Sequence, residues 1–131
     1  MIVADTSWIV ALRDPDDTHH TDATVINEAT ASEDVLLHPV TFAECLVAPA
    51  RLGVLDEAAA TLRAAFEIAQ FDDDAPIRWA LLRAESSLRL PDVVVLDTAL
   101  HYGARAIATF DDRLTSRARD RGLDVLGSSR R

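Results

Sequence analysis

The 131-residue chain has no lysine; all thirteen of its basic side chains are arginine. P-loop phosphate binding, the phosphoaspartate switch of receiver domains and haloacid-dehalogenase-type phosphatases each set a lysine beside the phosphate or the reacting aspartate. None of them operates here in its usual form. Cysteine is nearly missing too: Cys45 stands alone, which excludes an internal disulfide and any zinc site of clustered thiolates, and suits a reducing compartment. No apolar run approaches the roughly 20 residues needed to span a bilayer. Met1-Ile2-Val3-Ala4-Asp5 lacks the basic start of a secretory signal. A cytoplasmic protein without a membrane partner is expected.

The chain has material for a core, with 49% hydrophobic residues against 27% charged. At this length roughly 70% of the unfolded surface can be buried without staples. With no linker, repeat or low-complexity stretch, residues 1–131 are read as one domain. The net charge of −9 is uneven: residues 1–98 hold six arginines against eighteen acids, and residues 99–131 hold seven against four. Such a protein does not gather nucleic acid by bulk charge. An anionic substrate needs bound cations or the arginines of the C-terminal segment.

Apolar runs and breaks predict alternating strands and helices. Ile2–Ala4 is a buried strand and Thr6–Leu12 a helix. His19–Ala31 is a second helix and Val35–His38 a second strand, with Pro39 as punctuation. Thr41 opens a helix disturbed by Pro49, and Asp56–Ala65 is another. Phe66–Phe71 is either its continuation or a strand. Asp74–Leu88 is helical until Leu90-Pro91 stops it, and Asp92–Tyr102 is apolar nearly all round, a sign of burial on several sides. Ala106–Phe110 is a strand, Leu114–Arg121 a basic helix and Val125-Leu126 an edge strand. The alternation implies a parallel sheet covered on both faces and wound right-handed.

Parallel sheets collect function at the carboxyl ends of their strands. Asp5 ends the first strand, Asp111 follows Ala106–Phe110, and Glu44 is placed in the first turn of the helix after the second strand. The start of the Asp92 helix belongs at the same edge. Four carboxylates within about 4 to 6 Å would repel by up to ~4 kcal/mol per pair at an effective dielectric near 20, so they call for cations or protons. Hard oxygen donors without histidine or cysteine select Mg²⁺ or Mn²⁺.

Val3-Ala4-Asp5-Thr6-Ser7, Thr41-Phe42-Ala43-Glu44, Leu90-Pro91-Asp92 before an apolar helix with Thr98-Ala99-Leu100, and Gly103-Ala104 leading to Thr109-Phe110-Asp111 together resemble the PIN-domain ribonucleases. The match is closest to the VapC-type toxins of bacterial toxin-antitoxin pairs, and it runs from end to end of the chain. Each motif alone is unspecific; their order and spacing carry the likeness. The resemblance implies a three-layer α/β/α fold around a mostly parallel sheet of four to five strands. It implies a Mg²⁺- or Mn²⁺-dependent endoribonuclease, neutralised by a VapB-like antitoxin and usually dimeric. It puts Asp5, Glu44, Asp92 and Asp111 in the four acidic positions, and Thr6, Ser7 and Thr109 where hydroxyls support them.

Asp97 departs from the pattern, standing where many relatives carry a small apolar residue. It is rotated about 140° from Asp92 around the helix and is read either as an acid supporting the ligands or as a paired structural group. Asp112, beside Asp111, is an alternative inward-facing acid. Arg113 and Arg117 are candidates for RNA contact, Arg113 the better because it follows Asp111 closely. The plain readings stand beside these: Asp5 as an N-cap, Asp92 as a helix-dipole partner, and the arginines as a solvated face. Asp72-Asp73-Asp74 and the acids of 14–17 read as solvated caps and loops. The four histidines show no ligand spacing, Cys45 reads as a core residue, and Trp8 and Trp79 as core or interface aromatics. Two further functions compete with the ribonuclease: a non-catalytic PIN-like module whose acidic pocket receives a partner's arginine, and a small-molecule phosphohydrolase.

Overall fold

A computed structural model of the chain describes residues 1–127. In chain order the elements are β1 (Ile2–Ala4), α1 (Thr6–Arg13), α2 (His20–Ala29), β2 (Val35–Leu37), α3 (Pro39–Arg51) and α4 (Leu55–Ala65). They continue with β3 (Glu67–Ile68), α5 (Ala75–Ala84), α6 (Leu90–Tyr102), β4 (Ala106–Thr109), α7 (Asp112–Asp120) and β5 (Asp124–Gly127). The five strands form one sheet in the order β3-β2-β1-β4-β5, and every pairing is parallel. The segment Phe66–Phe71 thus holds a two-residue edge strand, not a longer α4.

Side chains alternate across the sheet as a period of two requires. Ile2 and Ala4, with Ala106 and Ala108, face a core built with Trp8, Ile9, Leu37 and Leu62, against which Phe42, Cys45 and Leu46 pack. Val3 and Ile107 face the opposite core with Leu36, Val93, Val95, Leu96, Leu114 and Ala118, joined by Trp79 and Leu82. Helices α1 to α4 cover one face and α5 to α7 the other. The alanines in β4 hold the chain close to β1 and leave room for α1, which packs there through Trp8.

Two prolines read as stops instead open helices. Pro39 lies in the first turn of α3, behind His38 as N-cap, and Pro91 in the first turn of α6, behind Arg89. A proline there loses no hydrogen bond, and its fixed φ already suits the helix. As a consequence Glu44 lies in the second turn of α3, not the first, and Asp92 is the third residue of α6. Pro49 is accommodated inside α3 without ending it. Helix α6 is buried at every position from Asp92 to Ala99 and closes on Gly103, whose φ of 66° is the left-handed cap that glycine adopts without strain. Among the described residues no helix is long and apolar enough to cross a membrane.

Candidate active site at the carboxyl edge of the sheet

From β1 the chain builds the sheet outward through β2 to β3, and then returns to the other side of β1 with β4. The crevice between β1 and β4 is therefore the point where strand order reverses, and open α/β sheets bind ligands outside the carboxyl ends of the strands at such a point. Asp5 follows β1 directly and Asp111 follows β4 by one residue. The Asp5 N–H donates to Ala108 O at 2.9 Å, which locks the two strand ends together.

Asp5 holds the N-cap position of α1, yet its side chain makes no capping bond. Its Oδ2 instead accepts from Ser7 Oγ at 2.7 Å and Thr109 Oγ1 at 2.8 Å. The two hydroxyls stand 3.2 Å apart and are themselves anchored, since Ser7 Oγ accepts from the Phe110 N–H and Thr109 Oγ1 from the Asp111 N–H, each at 3.0 Å. Asp5 is thus a buried, fixed carboxylate whose other oxygen has no protein donor among the described residues. Thr6 has a different task, donating to Glu44 Oε1 at 2.7 Å and tying α3 to the start of α1. Glu44 is exposed.

Asp92 is buried at 8% exposure. Its pKa is raised to about 6, first by desolvation and then by the negative charges of Asp111 and Asp5, while Arg89 pulls it the other way. Asp5 and Asp111 are therefore both in electrostatic reach of Asp92. Glu44 connects to the group more loosely: its charge and that of Asp5 both act on Cys45, whose thiol burial pushes up to about 11. Such a thiol is protonated at neutral pH, which agrees with a core role.

Asp111 gives one oxygen to capping α7, accepting from the Leu114 N–H at 2.8 Å. A cavity of about 350 Å³ opens beside it, lined by Arg89, Asp92, Asp111, Asp112 and Arg113. Asp112 is exposed on its rim. Among the described residues no three histidine, cysteine or acidic side chains stand close enough, as they are, to ligate one ion. The donor chemistry nevertheless suits a hard divalent cation: oxygen ligands only, mutually repelling, one of them desolvated.

The other expected residues lie elsewhere. Asp97 is bound to Arg78, with Nε to Oδ1 at 2.8 Å, and to Trp79, with Nε1 to Oδ2 at 3.0 Å. Arg78 also holds Asp72. Asp97 is thus a structural anchor between α5 and α6 and does not support the acidic group, because its position around α6 turns it toward α5. Asp72, read as a solvated cap, belongs to the same network. Arg117 pairs with Asp120 at 3.7 Å and lines a separate cavity with Leu82 and Glu85. Helix α7 runs away from the carboxyl edge, so one turn, about 5.4 Å, takes it off the site. Arg89, which the spacing did not single out, lies on the cavity. The signal was its place just before Leu90-Pro91-Asp92.

The strand order, the crevice and the acids define a PIN-like α/β fold. The PIN domain family model matches residues 2–120, and the chain belongs to that family. No curated protein matches it in sequence. Among solved structures, VapC20 of Mycobacterium tuberculosis, described as a sarcin-ricin loop cleaving toxin, is similar at 19% identity. It covers 89% of this chain and 95% of its own, with a TM-score of 0.72. FitAcB from Neisseria gonorrhoeae is 20% identical over 96% of both chains, with a TM-score of 0.71. A toxin-antitoxin complex from Klebsiella pneumoniae is 20% identical over 88% of this chain and 91% of that one, with a TM-score of 0.71. At these identities the likeness is one of fold.

Proposed function

We propose that this PIN domain is a Mg²⁺- or Mn²⁺-dependent endoribonuclease, the toxin of a toxin-antitoxin pair, that hydrolyses internal RNA phosphodiesters and is neutralised by a VapB-like antitoxin. The observation that carries the reading is the gathering of Asp5, Asp92 and Asp111 around the crevice where the strand order reverses. The descriptions of the neighbouring folds as toxins and toxin-antitoxin complexes support it. The resemblance also carries the proposal of a homodimer, while the single domain and the cytoplasmic location are proposed from the composition of the chain.

Asp5, Asp92 and Asp111 would hold the ion, with Glu44 completing the set from α3. When bound, such an ion would supply Lewis acidity to an attacking water and to the departing oxygen. The protein's part is positional. Ser7 and Thr109 fix one oxygen of Asp5 so that the other points to a defined place. Thr6 tethers the exposed Glu44 carboxylate to the start of α1. Burial of Asp92 lowers the local dielectric, which strengthens its pull on a cation.

The test uses purified chain freed of any partner, offered a mixed RNA pool and a generic phosphomonoester, in Mg²⁺, Mn²⁺ or EDTA. RNA cut internally in either metal and spared in EDTA supports the proposal. Intact RNA in all conditions favours the arginine-receiving module, and turnover of the monoester alone favours the small-molecule phosphohydrolase.

A further inference from the structure

Arg89 and Arg113 flank the acidic cavity from two different elements. Arg89 is the N-cap of α6, and Arg113 lies in the first turn of α7. Both are exposed, and neither guanidinium makes a hydrogen bond or ion pair with a described residue. Elsewhere the arginines are commonly engaged: Arg78 with Asp72 and Asp97, Arg83 with the Leu88 carbonyl, Arg105 with Glu33, Arg117 with Asp120. Two free guanidiniums thus border a cavity that also holds Asp92, Asp111 and Asp112. An exposed arginine beside a carboxylate gains little by closing onto it. Both remain available to an anion, and the guanidinium fork suits phosphate oxygens.

We infer that Arg89 and Arg113 form a two-point clamp for the phosphates on either side of the bond being cut, so that the site selects an internal stretch of RNA strand over a mononucleotide. The inference rests on the ribonuclease reading and adds to it a residue and a specificity. The two arginines reach one cavity from the starts of two different helices, and a strand offers a phosphate to each of them, whereas a mononucleotide offers a single phosphate group. The chain as a whole repels RNA, so these two charges supply local attraction at the one place it is useful. The acids between them repel a phosphate unless a cation is present, which makes gripping and cutting depend on the same ion.

The test measures how binding and cleavage of a random-sequence 12-nucleotide RNA pool depend on salt in Mg²⁺. Both are followed with the intact chain, cleavage as the initial rate and binding by fluorescence anisotropy read at mixing, before appreciable cutting. Arg89→Ala and Arg113→Ala are each expected to weaken binding about fivefold, to raise KM with kcat nearly unchanged, and to lower the slope of log Kd against log salt by about 0.7. Arg89→Lys should keep the slope. Arg121→Ala, at the far end of α7, should change nothing, and a mononucleotide should compete equally poorly with all variants. An unchanged slope in Arg89→Ala, with RNA still bound and cut, overturns the clamp and leaves the ribonuclease standing. Slope loss confined to Arg89 and Arg113 in a chain that never cuts RNA supports the grip and overturns the catalytic reading. Absence of both binding and cleavage overturns both.

Discussion

Asp5 and Asp92 are both buried carboxylates, but their surroundings give them opposite characters. Asp5 receives two hydroxyl hydrogen bonds, whereas Asp92 is desolvated among like charges and its pKa rises to about 6. A carboxyl whose folded pKa exceeds its unfolded value holds the extra proton in the folded state between about pH 4 and 6. Its contribution is then most favourable at the acid end of that window, and stability falls as pH rises through it. Asp92→Asn should remove that fall and raise Tm at pH 7.5 by about 2 to 4 °C, with little change at pH 4, as thermal melts at the two pH values will show. Catalysis should run the other way, rising as pH climbs through 6 because an ion needs the ionised form. The hydroxyls make a separate prediction. Thr109→Val keeps the shape of a fully buried residue but leaves the Asp111 N–H without its acceptor, and removes one of the two hydroxyls that hold Asp5. A stability loss of about 1 to 3 kcal/mol is expected, measured by urea unfolding, with cleavage falling at least tenfold. An unaltered kcat would mean that Asp5 needs no orienting by Thr109.

Helix α3 carries Glu44, and its start depends on His38. The ring is 2% exposed, and its Nδ1 accepts from the Val40 N–H at 3.0 Å, so the neutral ring carries its proton on Nε2, which has no partner. Phe71 and Trp79 pack on it. Burial pushes its pKa down to about 4, against a weaker opposite pull from Asp97. The unfolded chain therefore takes up a proton at about pH 6.5 that the folded chain refuses until pH 4. Stability from His38 is complete above that window and is lost as pH falls through it, the reverse of Asp92. His38→Asn keeps a capping acceptor and should flatten this acid loss in unfolding measurements from pH 7 to 4, whereas His38→Ala should cost about 1 kcal/mol at pH 7 through the lost cap. Most strand and helix identities were legible in the sequence from apolar runs and the breaks between them, but Phe66–Phe71 was not, because the two residues of β3 are too few to show a period. Helix starts at Pro39 and Pro91 were not, since a proline that ends one element and a proline that opens the next look alike in one dimension. The placement of Asp97 was half legible: its rotation away from Asp92 could be counted, but its partners Arg78 and Trp79 come from another helix. Arg89 escaped notice because its place just before Leu90-Pro91-Asp92 points to the acid but not to the cavity that it shares with Arg113 of α7.

At the scale of the molecule, a parallel sheet that reverses its strand order between β1 and β4 brings residues over a hundred positions apart to one crevice. The fold supplies burial and orientation, and the overall charge of −9 makes a cation the natural intermediary with RNA. Metal binding to the folded state alone should raise Tm with ion concentration, and EDTA should reverse it. The most direct measurement is a calorimetric titration of Mn²⁺ into the intact chain, Asp5→Asn and Asp92→Asn, each checked for folding by circular dichroism. Saturable binding in the native chain, weakened at least tenfold in both folded variants, is the predicted result. Equal binding in all three, or none in the native chain, would contradict it.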